Sequence, residues 1–270
     1  MEWRVLPLET CSPEFAMARA QAVYEGNERE TSPPTIYFYY WKEPGAISLA
    51  YNQNRTTVNV AACTQDNIEI VWRCSSGNTA VHHPGDITYY IAAPFKLLNT
   101  VSLDRGIYRT VCGWAVNGLR NYGIEAKHLG LNDISIFHNG EYRKVVGSAN
   151  KWTVDRKDLV LSFMQHGNVF SYVTPELMAK YSTKDLEMLK QTCSSLSSVY
   201  PDFDSHRLYE ALFKTFTKNE VVKSFYRGQL NSTERARINE LIETKEHTKQ
   251  PLEEAFTKDG NLCATDQRND

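Results

Sequence analysis

The chain has 270 residues, 41% of them hydrophobic and 23% charged, which suits one large globular core or one core with an appendage. Its 30 basic and 32 acidic residues are mixed along the sequence and leave a formal charge of -2, so it lacks the basic footprint that binds nucleic acid or an anionic membrane. No apolar run approaches the roughly 20 residues that span a bilayer, and Met1-Glu2-Trp3-Arg4 does not open a secretory signal, so a cytoplasmic protein with no nucleic-acid or membrane partner is expected.

Ser12-Pro13-Glu14 supplies a capping residue, a proline for the first turn and an acid against the helix dipole, and predicts a helix as the first element, over 13–28. After Ser32-Pro33-Pro34, residues 35–41 (TIYFYYW) and 46–51 read as strands, and the turn Glu43-Pro44-Gly45 between them predicts a hairpin. Residues 68–73 and 86–92 read as two more strands, with the polar stretch 74–85 as a loop at a sheet edge. An amphipathic helix is expected over 103–122, ended by Gly123. Residues 133–137 and 142–146 flank Asn139-Gly140 as a hairpin, and 159–172 holds another strand. From 175 on, segments 175–180, 183–196, 205–216 and 219–245 have helical periodicity, followed by a polar tail over 249–270. The six cysteines, at 11, 63, 74, 112, 193 and 263, form no CxxC pair and read as reduced, mostly buried thiols.

Two segments carry chemistry. Residues 73–86, from Arg73 through Ser75, Gly77 and His82 to Gly85-Asp86, form a loop of small residues bracketed by a cation and an imidazole. Small residues let backbone N–H groups approach an anion, and arginine offers a forked donor to carboxylate or phosphate. The same composition describes a solvated turn with a surface histidine pair. The second segment, Asn132-Asp133 followed by Lys144-Val145-Val146-Gly147-Ser148-Ala149, sets a lysine at the mouth of a hairpin and small residues after it. A lysine there binds a carboxylate, or is an ordinary surface lysine on a half-exposed strand.

Together and in this order the segments resemble the lipoate-protein ligase A family, which includes octanoyltransferases and has the biotin/lipoate ligase fold. That family carries an Arg-x-Ser-Gly-Gly-Gly-x-x-x-His-x-x-Gly-Asn/Asp loop, matched by Arg73, Ser75, Gly77, His82, Gly85 and Asp86. It also carries an Asn-Asp pair (Asn132-Asp133), a Lys-x-x-Gly-Ser-Ala signature (144–149) and a Gln-His-Gly strand (Gln165-His166-Gly167). The resemblance runs over about residues 1–245, and Ser76 and Asn78 stand where two loop glycines are usual.

The resemblance implies an α+β fold with a mixed, mainly antiparallel sheet flanked by helices, a catalytic domain over 1–248, and a C-terminal helical extension over about 175–248. It implies ATP-dependent activation of lipoate to lipoyl-adenylate and transfer to a lysine of a carrier, either a lipoyl domain or an H-protein-like carrier. Lys144 would be catalytic, meeting the lipoate carboxylate and the α-phosphate. Arg73, Asn78, Thr79, Ala80, Val81, Asn132 and Asp133 would join it at the nucleotide. Ser75, Gly77, His82, Gly147 and Ala149 would line the lipoate site. Mg2+ would share the phosphate charge without a dedicated protein metal site.

Rival readings remain. An octanoyl or lipoyl transferase needs a thiol close to the family lysine, and residues 131–142 and 154–172 contain none; Cys74 lies in the right loop away from the family's nucleophile position. A biotin ligase would show a Gly/Arg-rich loop and a Lys-Trp-Pro-Asn-Asp run, both missing here. A non-catalytic lipoate-binding paralogue would release no pyrophosphate. Longer ligases of the family close a small accessory domain over the adenylate, so at this length a separate accessory chain is a further expected partner.

Overall fold

Two short strands, β1 (Trp3–Val5) and β2 (Glu9–Cys11), precede the first helix in the computed structural model, which describes residues 1–98, 100, 104–154 and 160–249. Helix α1 (Pro13–Glu28) starts where its cap predicts, with Ser12 Oγ accepting the N–H of Phe15 and Glu14 in the first turn. Next come β3 (Thr35–Trp41), β4 (Ala46–Leu49), α2 (Val60–Gln65), β5 (Glu69–Trp72), β6 (Ala80–His82), β7 (Ile87–Pro94) and α3 (Asp104–Tyr122). β8 (Ala126–Leu129), β9 (Asp133–His138), β10 (Glu141–Val154) and β11 (Val160–Val169) follow. The C-terminal third holds α4 (Pro175–Tyr181), α5 (Leu186–Thr192), α6 (Leu196–Val199), α7 (Ser205–Thr217), β12 (Phe225–Arg227) and α8 (Ser232–Glu243).

The main sheet runs β12-β1-β3-β7-β11-β10-β9-β8, with β2 alongside β3. It is mixed and mainly antiparallel: only β12, β1, β2 and β3 pair in parallel. The apolar run of β3 is explained by its place in the middle of this sheet. Ile36 and Phe38 face the side covered by α3 and α7, while Tyr37, Tyr39 and Trp41 face α1. A second, three-stranded sheet, β5-β4-β6, packs with α2, α4 and α5 around Ile47, Leu49, Trp72 and Leu189.

Several expectations are corrected. Strands β3 and β4 are not a hairpin, because β4 leaves the main sheet to pair in parallel with β5 and antiparallel with β6. The turn residues between them report a change of direction, whereas partner choice is set by which strands bury the two faces of β3. The loop 74–85 contains an edge strand, β6, and the first element is a strand rather than a helix. Residues 219–231 are not helical: Asn219 Oδ1 accepts the N–H groups of Val221 and Val222, and Phe225–Arg227 adds to the sheet beside β1. Helix α8 then begins in a capping box made by Asn231 and Glu234. The start of the helix expected from 103, the strand start at 159 and the tail beyond 249 lie outside the described residues. No described helix is long and apolar enough to cross a membrane.

Candidate active site

Arg73 leaves β5 and turns inward, 5% exposed, where its guanidinium organises the loop that follows. Nη1 donates to Ser48 O (2.9 Å) and Ser48 Oγ (3.2 Å), Nη2 to Asn78 O (2.7 Å) and Ser76 O (3.0 Å), and Nε to Ser76 O (3.3 Å). The loop therefore wraps around a buried cation that meets only neutral oxygens, and burial pushes this guanidinium down to about 10. Gly77 is the loop residue that needs the left-handed region, at φ +105, and a Cβ there would come 3.0 Å from Arg73 Nη2. Ser76 and Asn78 do not adopt positive φ, so the glycine replacements fall where no such conformation is required. The carbonyls of Ser76 and Asn78 face Arg73, and the backbone N–H groups of Gly77, Asn78 and Thr79 have no acceptor among the described residues.

Lys144 sits at a bulge. The pairing of β10 with β9 shifts between Lys144 and Val146, and the freed backbone is held from the other side. Ser194 N–H donates to Lys144 O (3.0 Å) and Phe170 N–H to Val145 O (2.8 Å). Such a bulge re-aims a side chain, here into the cavity. The Lys144 ammonium lies 2.6 Å from Asp133 Oδ1, and Gly147 leaves room for it, since a Cβ at 147 would stand 3.1 Å from Nζ. Asn132 ties this corner together, with its side-chain amide donating to Ser148 O (2.7 Å) and its own carbonyl accepting from Ser148 N (3.1 Å).

The two segments meet at one cavity of about 230 Å³, lined by Arg73, Gly77, Asn78, Thr79, Ala80, Val81, His82, Asn132, Asp133, Lys144, Gly147 and Ala149. Of the residues singled out in the sequence, Ser75 stands behind this wall, fully buried, with its hydroxyl 2.7 Å from His166 Nε2. Met17, Tyr39, Trp41, Phe170, Met178 and Leu189 give the cavity an apolar side. Asp133 is the one carboxylate among the described lining residues, which suits a Mg2+ carried in on phosphate oxygens better than one held by the protein.

His82 stacks on Trp41 (3.8 Å between ring centroids) and meets Ser48 Oγ at 2.8 Å through Nε2, while its Nδ1 has no partner among the described residues. Burial, with the nearby Arg73 cation as a further cause, pushes both His82 and His166 down to about 3. Both are therefore neutral hydrogen-bonding groups near pH 7. In the unfolded chain a histidine titrates near pH 6.5, so between about 6.5 and 3 the unfolded state holds the extra proton. The stability each neutral ring contributes is complete above that upper value and is lost as pH falls. Replacing His166 by glutamine is expected to remove about 1.4 kcal/mol per pH unit of acid sensitivity over this range, read from urea melts at several pH values. An unchanged slope would mean that His166 titrates normally in the folded protein.

Two lining residues have no signal in the sequence motifs. Lys184, between α4 and α5, reaches the loop and donates to Thr79 O at 3.3 Å. Cys193 lines the same cavity, and its backbone bridges to that of Lys144. The expectation that no thiol lies close to the lysine is thereby corrected: one does, brought there by the chain after α5 rather than by the segments searched. Cys74 is directed away, with its sulfur 3.7 Å from Met164 Sδ. All five described cysteines are free thiols. The cavity thus gathers Arg73, Lys144 and Lys184 against the single carboxylate of Asp133, beside an apolar wall. Such a site binds an acid with an aliphatic body, a phosphate, or both.

Comparison with known proteins agrees with this geometry. The family described as the lipoyl protein ligase A/B catalytic domain matches residues 12–217. An octanoyltransferase LipM of Lysinibacillus sphaericus is 29% identical over 125 residues, 46% of this chain and 45% of that protein. A lipoate-protein ligase A of Blochmanniella pennsylvanica is 24% identical over 226 residues, 82% of this chain and 62% of its own. The chain therefore spans less than two thirds of the length of either relative. Among solved structures, a bipartite lipoate protein ligase of Thermoplasma acidophilum, studied with its E2 lipoyl domain, superposes with a TM-score of 0.76 at 19% identity, over 90% of this chain and 92% of that one. A lipoate-protein ligase A bound with ATP superposes at 0.72, also 19% identical, over 90% and 95%.

Proposed function

Because the chain belongs to the lipoyl protein ligase A/B catalytic-domain family, we propose that it is an ATP-dependent lipoate-protein ligase whose catalytic unit spans residues 1–248. The observation that carries this reading is the gathering of three cations on a cavity with an apolar side, beside a loop whose N–H groups at 77–79 have no acceptor among the described residues. The lipoate carboxylate attacks the α-phosphorus of ATP, the bond to the β-phosphate breaks, and pyrophosphate leaves. An amine of a carrier lysine then attacks the acyl carbon and AMP leaves with the bonding pair.

In this scheme Lys144 meets the carboxylate and the α-phosphate, where negative charge shifts as the anhydride forms. Arg73 acts through the loop: it fixes the carbonyls of Ser76 and Asn78, so that the N–H groups of Gly77, Asn78 and Thr79 are left for phosphate. His82, Gly147, Ala149 and the apolar wall take the acid's body, and Ser75 supports His166 from behind. Asp133 holds Lys144 in place between turnovers, and Asn132 fixes the neighbouring backbone at Ser148. Mg2+ would neutralise phosphate charge, and Asp133, the one carboxylate among the described lining residues, would be the side chain to hold it. The ATP-bound structure and the lipoyl-domain system of similar fold support these choices of nucleotide and acceptor, and the bipartite ligase supports a separate accessory chain.

The test is acid-dependent release of pyrophosphate from ATP, with lipoate, octanoate and biotin in parallel. Release with lipoate supports the ligase. Silence with all three acids, with and without a candidate accessory chain, removes it.

One observation favours a second reading. Cys193 beside Lys144 gives acyl-thioester transfer a nucleophile, so Cys193→Ser separates the two mechanisms. For the ligase, Cys193→Ser is expected to keep activity within about threefold, since replacing one small lining group changes apolar binding modestly. A loss of a hundredfold or more, with a mass increase on Cys193 of the wild type after incubation with an acyl carrier, would establish transfer.

A further inference from the structure

Of the three cations at the cavity, two are already committed. Arg73 directs all of its nitrogen atoms at Ser48, Ser76 and Asn78, and Lys144 is paired with Asp133 at 2.6 Å. Lys184 makes a single 3.3 Å bond, to the carbonyl of Thr79, and has no carboxylate within ion-pair distance among the described residues. The acids beside it in sequence are used elsewhere: Asp185 caps α5 by accepting the N–H of Met188 (2.8 Å), and Glu187 pairs with Lys190 (3.1 Å). Its anchor places it at the loop whose N–H groups at 77–79 lack acceptors among the described residues.

We infer that Lys184 is the residue that receives the phosphate chain of the nucleotide, its ammonium moving from the Thr79 carbonyl to phosphate oxygens when ATP enters. This deepens the ligase reading and rests on it. The energetic reason lies in the charges around Lys184. Burial, and after it the neighbouring Lys144 cation, push the Lys184 ammonium downward; Cys193 and Asp133 act the other way, and Arg73 adds a smaller downward push. A polyanion removes that repulsion, and a compact ammonium with free donors suits phosphate oxygens in any rotamer. The sequence position also makes sense of the fold. Thr183 N–H is bonded to Thr57 O (3.1 Å) and Asn59 N–H to Tyr181 O (3.0 Å), so the α4–α5 corner is fixed to the segment that leads into α2 and presents Lys184 to the cavity that Lys144 also lines. Work is thereby divided: Lys144 takes the bond-making end, and Lys184 the leaving pyrophosphate.

The experiment measures equilibrium binding of ATP and of lipoate, separately, to the full chain and to Lys184→Gln and Lys184→Arg. Loss of a charge-assisted contact is expected to weaken ATP binding by about ten- to a hundredfold in Lys184→Gln. Lipoate binding should stay within about twofold, which also reports a folded site, and Lys184→Arg should recover most of the ATP affinity because charge is kept. ATP affinity within about twofold of wild type in Lys184→Gln overturns the inference while leaving the ligase reading intact. Weakening of lipoate and ATP alike also overturns it, since Lys184 would then hold the wall rather than the phosphate. A wild-type chain that binds lipoate but no ATP overturns the ligase reading itself, and the inference with it.

Discussion

Replacing Lys144 by alanine is expected to lower lipoate-dependent pyrophosphate release by about a hundredfold to a thousandfold, with little change in melting temperature. The activity loss follows from position. The bulge between Lys144 and Val146, pinned by the Ser194 and Phe170 amides, points this side chain into the cavity, where the proposed ligase reaction would bring carboxylate and phosphate together. The small stability cost follows from exposure. The Lys144 and Asp133 side chains are 28% and 39% exposed, so the ion pair they form is worth at most about 1 kcal/mol. Lys144→Arg is expected to fail nearly as badly, because the Lys144 side chain lies so close over Gly147 that a Cβ there would stand 3.0 Å from its Cε, and a planar fork does not fit that space. Activity within about tenfold of wild type in Lys144→Ala would remove Lys144 from the reaction.

The largest loss of stability is expected far from the site, at Glu234. This carboxylate, 2% exposed, accepts from Arg4 Nη1 (2.7 Å), Arg4 Nη2, Ser32 Oγ (2.6 Å) and Asn231 N (2.8 Å), joining α8 to β1 and to the turn after α1. Burial works against its charged form, but Arg4 and Ser32 hold it below the usual carboxylate range. Glu234→Ala leaves the Arg4 guanidinium, itself 2% exposed, without its anion, at a cost of about 3–5 kcal/mol. In a chain of this size that is a fall of about 10 °C in melting temperature. Glu240→Ala on the same helix, whose carboxylate is 60% exposed and pairs with Arg237, is the control and should move it by about 1 °C or less. Equal shifts for the two variants would show that the buried pair contributes nothing special.

The features legible in the sequence are those written in local chemistry. The cap at Ser12, the Asn139-Gly140 turn, with φ +52 and +84, and the amphipathic helix over 104–122 all fall where their residues predict. The spacing of Arg73, Gly77 and His82, and of Asn132-Asp133 and Lys144, brought the correct segments to one cavity, since each holds its own loop or hairpin shape over short range. Three-residue strands were not legible, because β1, β2 and β12 are strands only through the neighbours they pair with. Residues 219–231 have helical spacing, yet Asn219 caps a turn and the chain is drawn to the sheet edge.

The sequence by itself determined the family signature, the buried two-sided character of β3 and the identity of the cation at the bulge, because these depend on residue type and short-range spacing. Only the tertiary structure decided that β4 leaves β3 for a second sheet, that Arg73 is spent on its own loop, and that Lys184 and Cys193 join Lys144 at the cavity. Lys184 meets Thr79 across 105 residues of chain and β4 pairs with β5 rather than with the adjacent β3, and such partners are chosen by which faces remain to be buried once the sheet has formed.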